Sequence, residues 1–334
     1  MNIAEITNLD PPDYEGVGYG VEIEVELSRE VLHVDDYPRV PSIPRSRTDD
    51  SMVTPTTTTT TNGEEYYTVN IDDWRRDVRG RPELMAEDVA PLRARPSLYT
   101  QCEGWRTHTD GSLRNGIEYV FDEPCIYKEG VSRLDKLYEV IQANKLVTSH
   151  RTGMHVHVDV RTFTRNQLGA LFAGYIACEP WLMALAGESR WNNVFCVPVH
   201  ANPEQARYVA GVVATRSPAP FMRRISSDFN KYSSINFLPI LSQGSVEFRM
   251  APTFDARENA MKWFYLVHRI VERTRGLTAR SIADMFLEDS HVAVHRLFPE
   301  VSDSADPVEW AVPLEYAAMI HMQDVRAEGA RPNW

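Results

Sequence analysis

The stretch GVGYGVEIEVEL (16–27) alternates apolar and acidic residues with a period of two. Val21, Ile23, Val25 and Leu27 fall on one side of an extended chain, and Glu22, Glu24 and Glu26 on the other. This predicts a strand with one face on a core and one face charged. Carboxylates two positions apart on a strand stand roughly 6–7 Å from each other, at about 3.3 Å of rise per residue. They can hold one hard cation or one cation each, and they can equally form an ordinary solvated face.

The same pattern recurs downstream. TGMHVHVD (152–159) puts His155, His157 and Asp159 on one face and Met154, Val156 and Val158 on the other. Solvent faces are usually filled by Lys, Thr and Glu, so two histidines and an acid together point to a metal or phosphate site. A pair of surface histidines is the alternative. SVEFRMAP (245–252) sets Glu247 and Arg249 against Val246, Phe248 and Met250. Arginine beside a carboxylate offers a donor fork for phosphate charge, and a structural Glu–Arg pair is the plainer alternative. In HTDGSLRNGIEYVFDEP (108–124), Asp110-Gly111-Ser112 makes a turn and Glu118 returns on the next strand. Four such faces in one sheet would repel each other unless cations sit among them.

Around these motifs the spacing predicts strands over 97–109, 116–121, 154–160, 233–238 and 245–252. Helices are predicted over 131–147, 166–187, 203–215, 256–275 (capped by Asp255) and 281–288. Hairpin-like pairs without βαβ alternation indicate an α+β fold: a curved, largely antiparallel sheet with helices packed on one face. Residues 1–334 are taken as one catalytic domain. Within it, 35–96 is a Pro/Thr-rich, partly flexible insertion containing TPTTTTTTN (54–62) and a short strand over 65–71.

Composition narrows the classes. The net charge of −12 disfavours general nucleic-acid binding and weakly favours metal ions. Four scattered cysteines without a CxxC pair read as reduced thiols, and the N-terminus lacks the basic start and apolar core of a signal peptide, so a cytoplasmic location is expected. LGALFAGYIACEPWLMALAG (168–187) has the length of a membrane span. Glu179 and Pro180 at its middle instead predict a buried core helix, kinked or split near Pro180.

Taken in order, GVEIEVE (20–26), TDGSLRNGIEYV (109–120), TGMHVHV (152–158), KYSSINF (231–237) and VEFRMAPTFD (246–255) resemble the amidoligase family of phages and bacteria. That family is grouped with glutamine synthetase and glutamate–cysteine ligase among the carboxylate–amine ligases. The resemblance implies a glutamine synthetase-like, funnel-shaped site using ATP and two or more Mg²⁺ or Mn²⁺ ions. It implies metal ligation by Glu22, Glu24, Glu118, His155 and Glu247, with the acid Asp110 close by. His157 would lie nearer the nucleotide or transferred phosphate, and Arg249 near the γ-phosphate. Lys231 and Asn236 would contact phosphate or substrate; Arg223 and Arg224 before them are candidates for binding a substrate carboxylate or phosphate, with a solvated basic pair as the alternative. The implied reaction joins a small-molecule or peptide carboxylate to an amine through an acyl phosphate. The long 35–96 excursion departs from the family pattern, and no GxxxxGK[ST] loop is present. A metal-dependent hydrolase using the HxH strand and a non-catalytic phage-type protein on a ligase-like scaffold are the alternatives.

Overall fold

The central strand, β1 (Gly18–Leu27), pairs along most of its length on both sides. The protein's structure is a computed structural model. It describes residues 2–27, 101–108, 113, 116–149, 151–187, 190, 193, 195–199, 220, 223, 225, 232–288 and 290–302, and the backbone of 56–59 and 65–68.

Helix α1 (Ile3–Thr7) precedes β1, and a separate hairpin pairs β2 (Thr56–Thr59) with β3 (Glu65–Thr68). The threonine tract thus supplies a strand where no sustained period is legible. The main sheet adds β4 (Trp105–His108), β5 (Gly116–Phe121), β6 (Cys125–Ile126), β7 (Leu146–Val147), β8 (Gly153–Asp159), β9 (Ile235–Asn236) and β10 (Ser245–Pro252). It is an open, antiparallel sheet of eight strands, ordered β4-β5-β1-β8-β10-β9, with β6 and β7 on the ends of β1. The α+β architecture is therefore present.

The helices are α2 (Tyr127–Ala143), α3 (Arg165–Ala186), α4 (Arg257–Thr274), α5 (Ala279–Glu288), α6 (Ser290–Leu297) and α7 (Pro299–Ser302). Helix α2 lies on β1, α3 on β10 and α4 on β8, with α4 also touching α2 and α3. The face they cover is the apolar one: Val21, Ile23, Val25, Ile117, Met154, Val156, Val158, Val246 and Phe248 are fully buried. Burying each such side chain contributes about 1.5–3 kcal/mol, so this layer fixes which face of every strand points away from the helices.

Several boundaries differ from the sequence expectation. Helix α2 begins at Tyr127, with Gly130 lying against the Phe264 ring, and ends at Ala143, shortly before Lys145 takes φ 51° ahead of β7. Asp255 does not cap α4. Ala256 holds that position without a side-chain bond, and Asp255 Oδ1 instead accepts from Thr148 Oγ1 at 2.5 Å. Helix α3 is not split: it runs through Pro180 unbroken. Its buried Glu179 accepts hydrogen bonds from Val199 N–H (2.9 Å) and Ser234 Oγ, which satisfies the carboxylate inside the core. Among the described residues it is the one helix long and apolar enough to cross a membrane, and 89% of its most apolar window is buried inside the protein. The helix predicted over 203–215 lies outside the described residues.

At the junction of β1 and α4, Tyr19 Oη lies 2.9 Å from His268 Nδ1, and the imidazole stacks on Tyr127 with centroids 4.0 Å apart. Burial lowers the His268 pKa below the ordinary 6.5, and Arg269 adds to this against the opposing charge of Glu272. A depressed histidine leaves stability intact above 6.5 and removes it as pH falls toward the folded value, because the unfolded chain then binds more protons. Melting temperatures followed from pH 8 to 5 should therefore fall more steeply for the wild type than for His268→Phe. Parallel curves would contradict this assignment.

Candidate active site

The sheet face opposite α2, α3 and α4 carries the polar side chains, and the strand register sets their rows. Glu24 stands opposite Glu118, and Glu22 opposite His155. Glu247 lies between His157 and Asn236. Although polar, this face is shielded: His155, His157, Glu24, Glu247 and Asn236 are all buried.

The side chains converge on Glu22. Its Oε2 lies 3.1 Å from His155 Nδ1, and its Oε1 lies 3.1 Å from His157 Nε2. His155 Nδ1 is also 3.3 Å from Glu247 Oε1. Two groups of ligand atoms result, Glu22–Glu118–His155 and Glu22–His157–Glu247, each with its atoms within 4.8 Å of one another. Glu22 belongs to both. Burial works to raise the Glu22 pKa, but the charge of His157 and hydrogen bonds from both imidazoles hold it well below the usual carboxylate range. For His157 burial pushes down, and the Glu22 charge prevails to raise it.

The surroundings orient these groups. His157 Nδ1 lies 3.1 Å from Ser245 Oγ, whose hydroxyl donates to Gln243 Oε1 at 3.4 Å. This assigns the Nδ1 proton to the serine contact and turns Nε2 toward Glu22 Oε1. Asn236 Nδ2 donates to Glu247 Oε2 at 2.7 Å, and Arg249 Nη1 donates to Glu247 Oε1. Hard carboxylate oxygens and imidazole nitrogens together form a donor set that fits divalent ions such as Mg²⁺ or Mn²⁺.

Not every expected residue joins these groups. Glu24 belongs to neither: its Oε2 accepts from Gly153 N–H at 2.5 Å, so the carboxylate leans toward the backbone of β8. A Cβ at 153 would stand 2.9 Å from His155 Nε2 and 3.2 Å from Glu24 Oε2, so any larger residue there would have to displace these two side chains. Asp159 shares the histidine face but is held by Arg161 Nη2 (2.7 Å) and by the Tyr14 hydroxyl. Asn236 orients Glu247 and also accepts from Leu238 N–H. Arg223 is exposed. Asp110, Lys231 and Arg224 lie outside the described residues. The sequence reading missed Ser245, Gly153 and the buried Arg190. Only Gly153 had a local signal, as a glycine at the mouth of the HxH strand.

An open antiparallel sheet with carboxylate–histidine groups that could hold a metal ion on one face defines the class as α+β. A family model described as "Putative amidoligase enzyme" matches residues 97–271, just over half of the chain. The chain belongs to this amidoligase family, and its enzyme class is that of a ligase. None of the curated proteins matches the chain. The matched span holds Glu118, both histidines, Glu247 and Arg249. Glu22 comes from outside it, brought in by the pairing of β1.

Manganese titration by calorimetry tests the shared ligand. Glu118→Gln should weaken one site and leave the other, whereas Glu22→Gln should weaken both. Ser245→Ala should lower affinity about tenfold by freeing the His157 ring. Equal losses for Glu22→Gln and Glu118→Gln would remove the bridging assignment.

Proposed function

We propose that the protein is an ATP- and Mg²⁺-dependent carboxylate–amine ligase that forms an amide or peptide-like bond through an acyl phosphate. The observation that carries this is the convergence of Glu22, Glu118, His155, His157 and Glu247, with Arg249 beside them, on one shielded sheet face. Condensing a carboxylate with an amine in water is uphill, so the reaction needs a coupled phosphoryl donor. The γ-phosphoryl P–O bond of ATP breaks as a carboxylate oxygen of the acid takes it up, releasing ADP. The amine then attacks the acyl carbon, phosphate leaves, and a proton passes from the nitrogen.

Divalent ions, when bound by Glu22, Glu118, Glu247 and the two histidines, would supply positive charge against phosphate oxygens. The chain's own groups account for the rest. Arg249 is part-buried, and its buried Nε has no hydrogen-bond partner among the described residues, so it has a donor to offer an anionic group. Asn236 and Ser245 hold Glu247 and His157 in place, which spares the site reorganisation during the reaction. Shielding of the face excludes water, which both strengthens these interactions and protects an acyl phosphate from hydrolysis. A dedicated nucleophile is unnecessary in this chemistry. The acid is a small-molecule or peptide carboxylate, and the setting is cytoplasmic.

Hydroxylamine provides a direct trial, since it intercepts an acyl phosphate as a hydroxamate. With ATP, Mg²⁺ and a panel of amino-acid and peptide carboxylates, the wild type should form hydroxamate. Glu22→Gln and Arg249→Met should each lower the rate by at least about 100-fold, the scale of losing one transition-state donor. ATP turnover that is indifferent to Glu22, or hydrolysis of amides without nucleotide, would sink the proposal.

A further inference from the structure

Strand β10 carries an irregularity directly across from the metal-ligand histidine. Phe248 pairs with Val156 and Ala251 with Met154, so Arg249 and Met250 together oppose His155 alone. A bulge of this kind interrupts the ladder and leaves backbone groups without strand partners. Here both bulge carbonyls are met by one side chain. Arg190 Nε donates to Met250 O at 2.9 Å, and its Nη2 donates to Arg249 O at 2.8 Å.

Arg190 is 2% exposed. A buried guanidinium held on carbonyl oxygens is a costly way to satisfy two acceptors, and neutral donors would serve packing alone. Its surroundings are firmly tied. Arg190 N–H donates to Gly187 O at 3.0 Å, and Cys196 Sγ–H to Arg190 O at 3.7 Å. Val197 N–H donates to Tyr232 O at 2.7 Å, and Ser234 N–H to Val197 O at 2.8 Å. Ser234 O in turn accepts from Arg249 N–H at 2.8 Å. The backbone of Arg249 is therefore gripped at both ends, by Ser234 on its N–H and by Arg190 on its carbonyl. Its side chain touches Glu247 through Nη1, while Nε stays unpartnered.

We infer that Arg190 is a positioning residue that acts through Arg249. By capping both bulge carbonyls it fixes the direction in which the Arg249 guanidinium meets the anionic group of a substrate beside His155. Identifying that anion as a phosphoryl group rests on the ligase function proposed above. Lysine cannot replace the fork, because a single ammonium does not reproduce the planar pair of donors.

A double-mutant cycle on the full-length protein loaded with Mn²⁺ tests this, using calorimetric binding of the non-hydrolysable nucleotide adenylyl imidodiphosphate. Arg249→Met should weaken binding about 10- to 100-fold, the range for losing a charged hydrogen bond. Arg190→Lys should weaken it about tenfold. The double variant should be no weaker than Arg249→Met to within about twofold, since the contribution of Arg190 passes through the group already removed. Mn²⁺ affinity of Arg190→Lys should stay within about threefold of the wild type, which also reports an intact fold. Arg190→Gln, which keeps a neutral donor, takes the place of the lysine variant if that one does not fold, with the same non-additivity expected. Losses that multiply would overturn the inference and leave Arg190 a structural residue. A wild type that binds Mn²⁺ but no analogue would overturn the ATP dependence and this inference together.

Discussion

Carboxylates crowded on a shielded sheet face repel one another and lose their hydration, and this cost governs the rest of the structure. Glu22, Glu24, Glu118 and Glu247 project from β1, β5 and β10 onto the side opposite α2, α3 and α4. Without compensation such a face would push its acids toward the neutral form. Glu22 instead stays well below the usual range because two imidazoles stand against it, and Glu247 is flanked by Arg249 and Asn236. The face is thus poised for added positive charge, with Glu22 common to both ligand groups. A ligase that handles phosphate has use for such a site, since bound ions and the acids balance each other.

The apolar obverse makes this arrangement possible. Because side chains alternate along a strand, burying Val21, Ile23 and Val25 under α2 commits Glu22 and Glu24 to the opposite side. The same commitment operates in β8 through Met154, Val156 and Val158, and in β10 through Val246 and Phe248. Packing energy in one layer thereby holds like charges together in the other. Two departures from regularity fall beside these groups: the bulge of β10 across from His155, and the glycine at 153 next to the His155 ring and the Glu24 carboxylate. A bulge redirects a side chain that a regular strand would keep in line, which bears on the direction of Arg249.

Much of this was legible in the chain. Period-two alternation in 16–27, 154–160 and 245–252 marks both faces of three strands; the structure sets the first two at 18–27 and 153–159 and reproduces β10 to the residue. The long apolar helix was recognisable, yet its continuity through Pro180 was not, because Glu179 binds Val199 and Ser234 far along the chain. Asp255 carried the local signature of a cap, but Thr148 from another segment took its carboxylate. Short-range rules erred where a long-range partner offered a stronger bond.

The sequence by itself determined the two-faced strands, the α+β class and the family, because side-chain alternation and motif order are local properties of the chain. Tertiary structure alone decided which carboxylates meet. Glu22 and Glu24 are equivalent in the pattern of β1, yet Glu22 faces both histidines while Glu24 turns to the Gly153 amide. Arg190 shows the same limit, since nothing around it in the chain announces a guanidinium clasping the carbonyls of residues 249 and 250. The physical reason is register: the pairing of β1 with β8 and the slip in β10 set distances of a few ångströms between residues more than a hundred positions apart, or about sixty in the case of Arg190. Periodicity fixes a face, and only the hydrogen-bonded alignment of neighbouring strands fixes a neighbour.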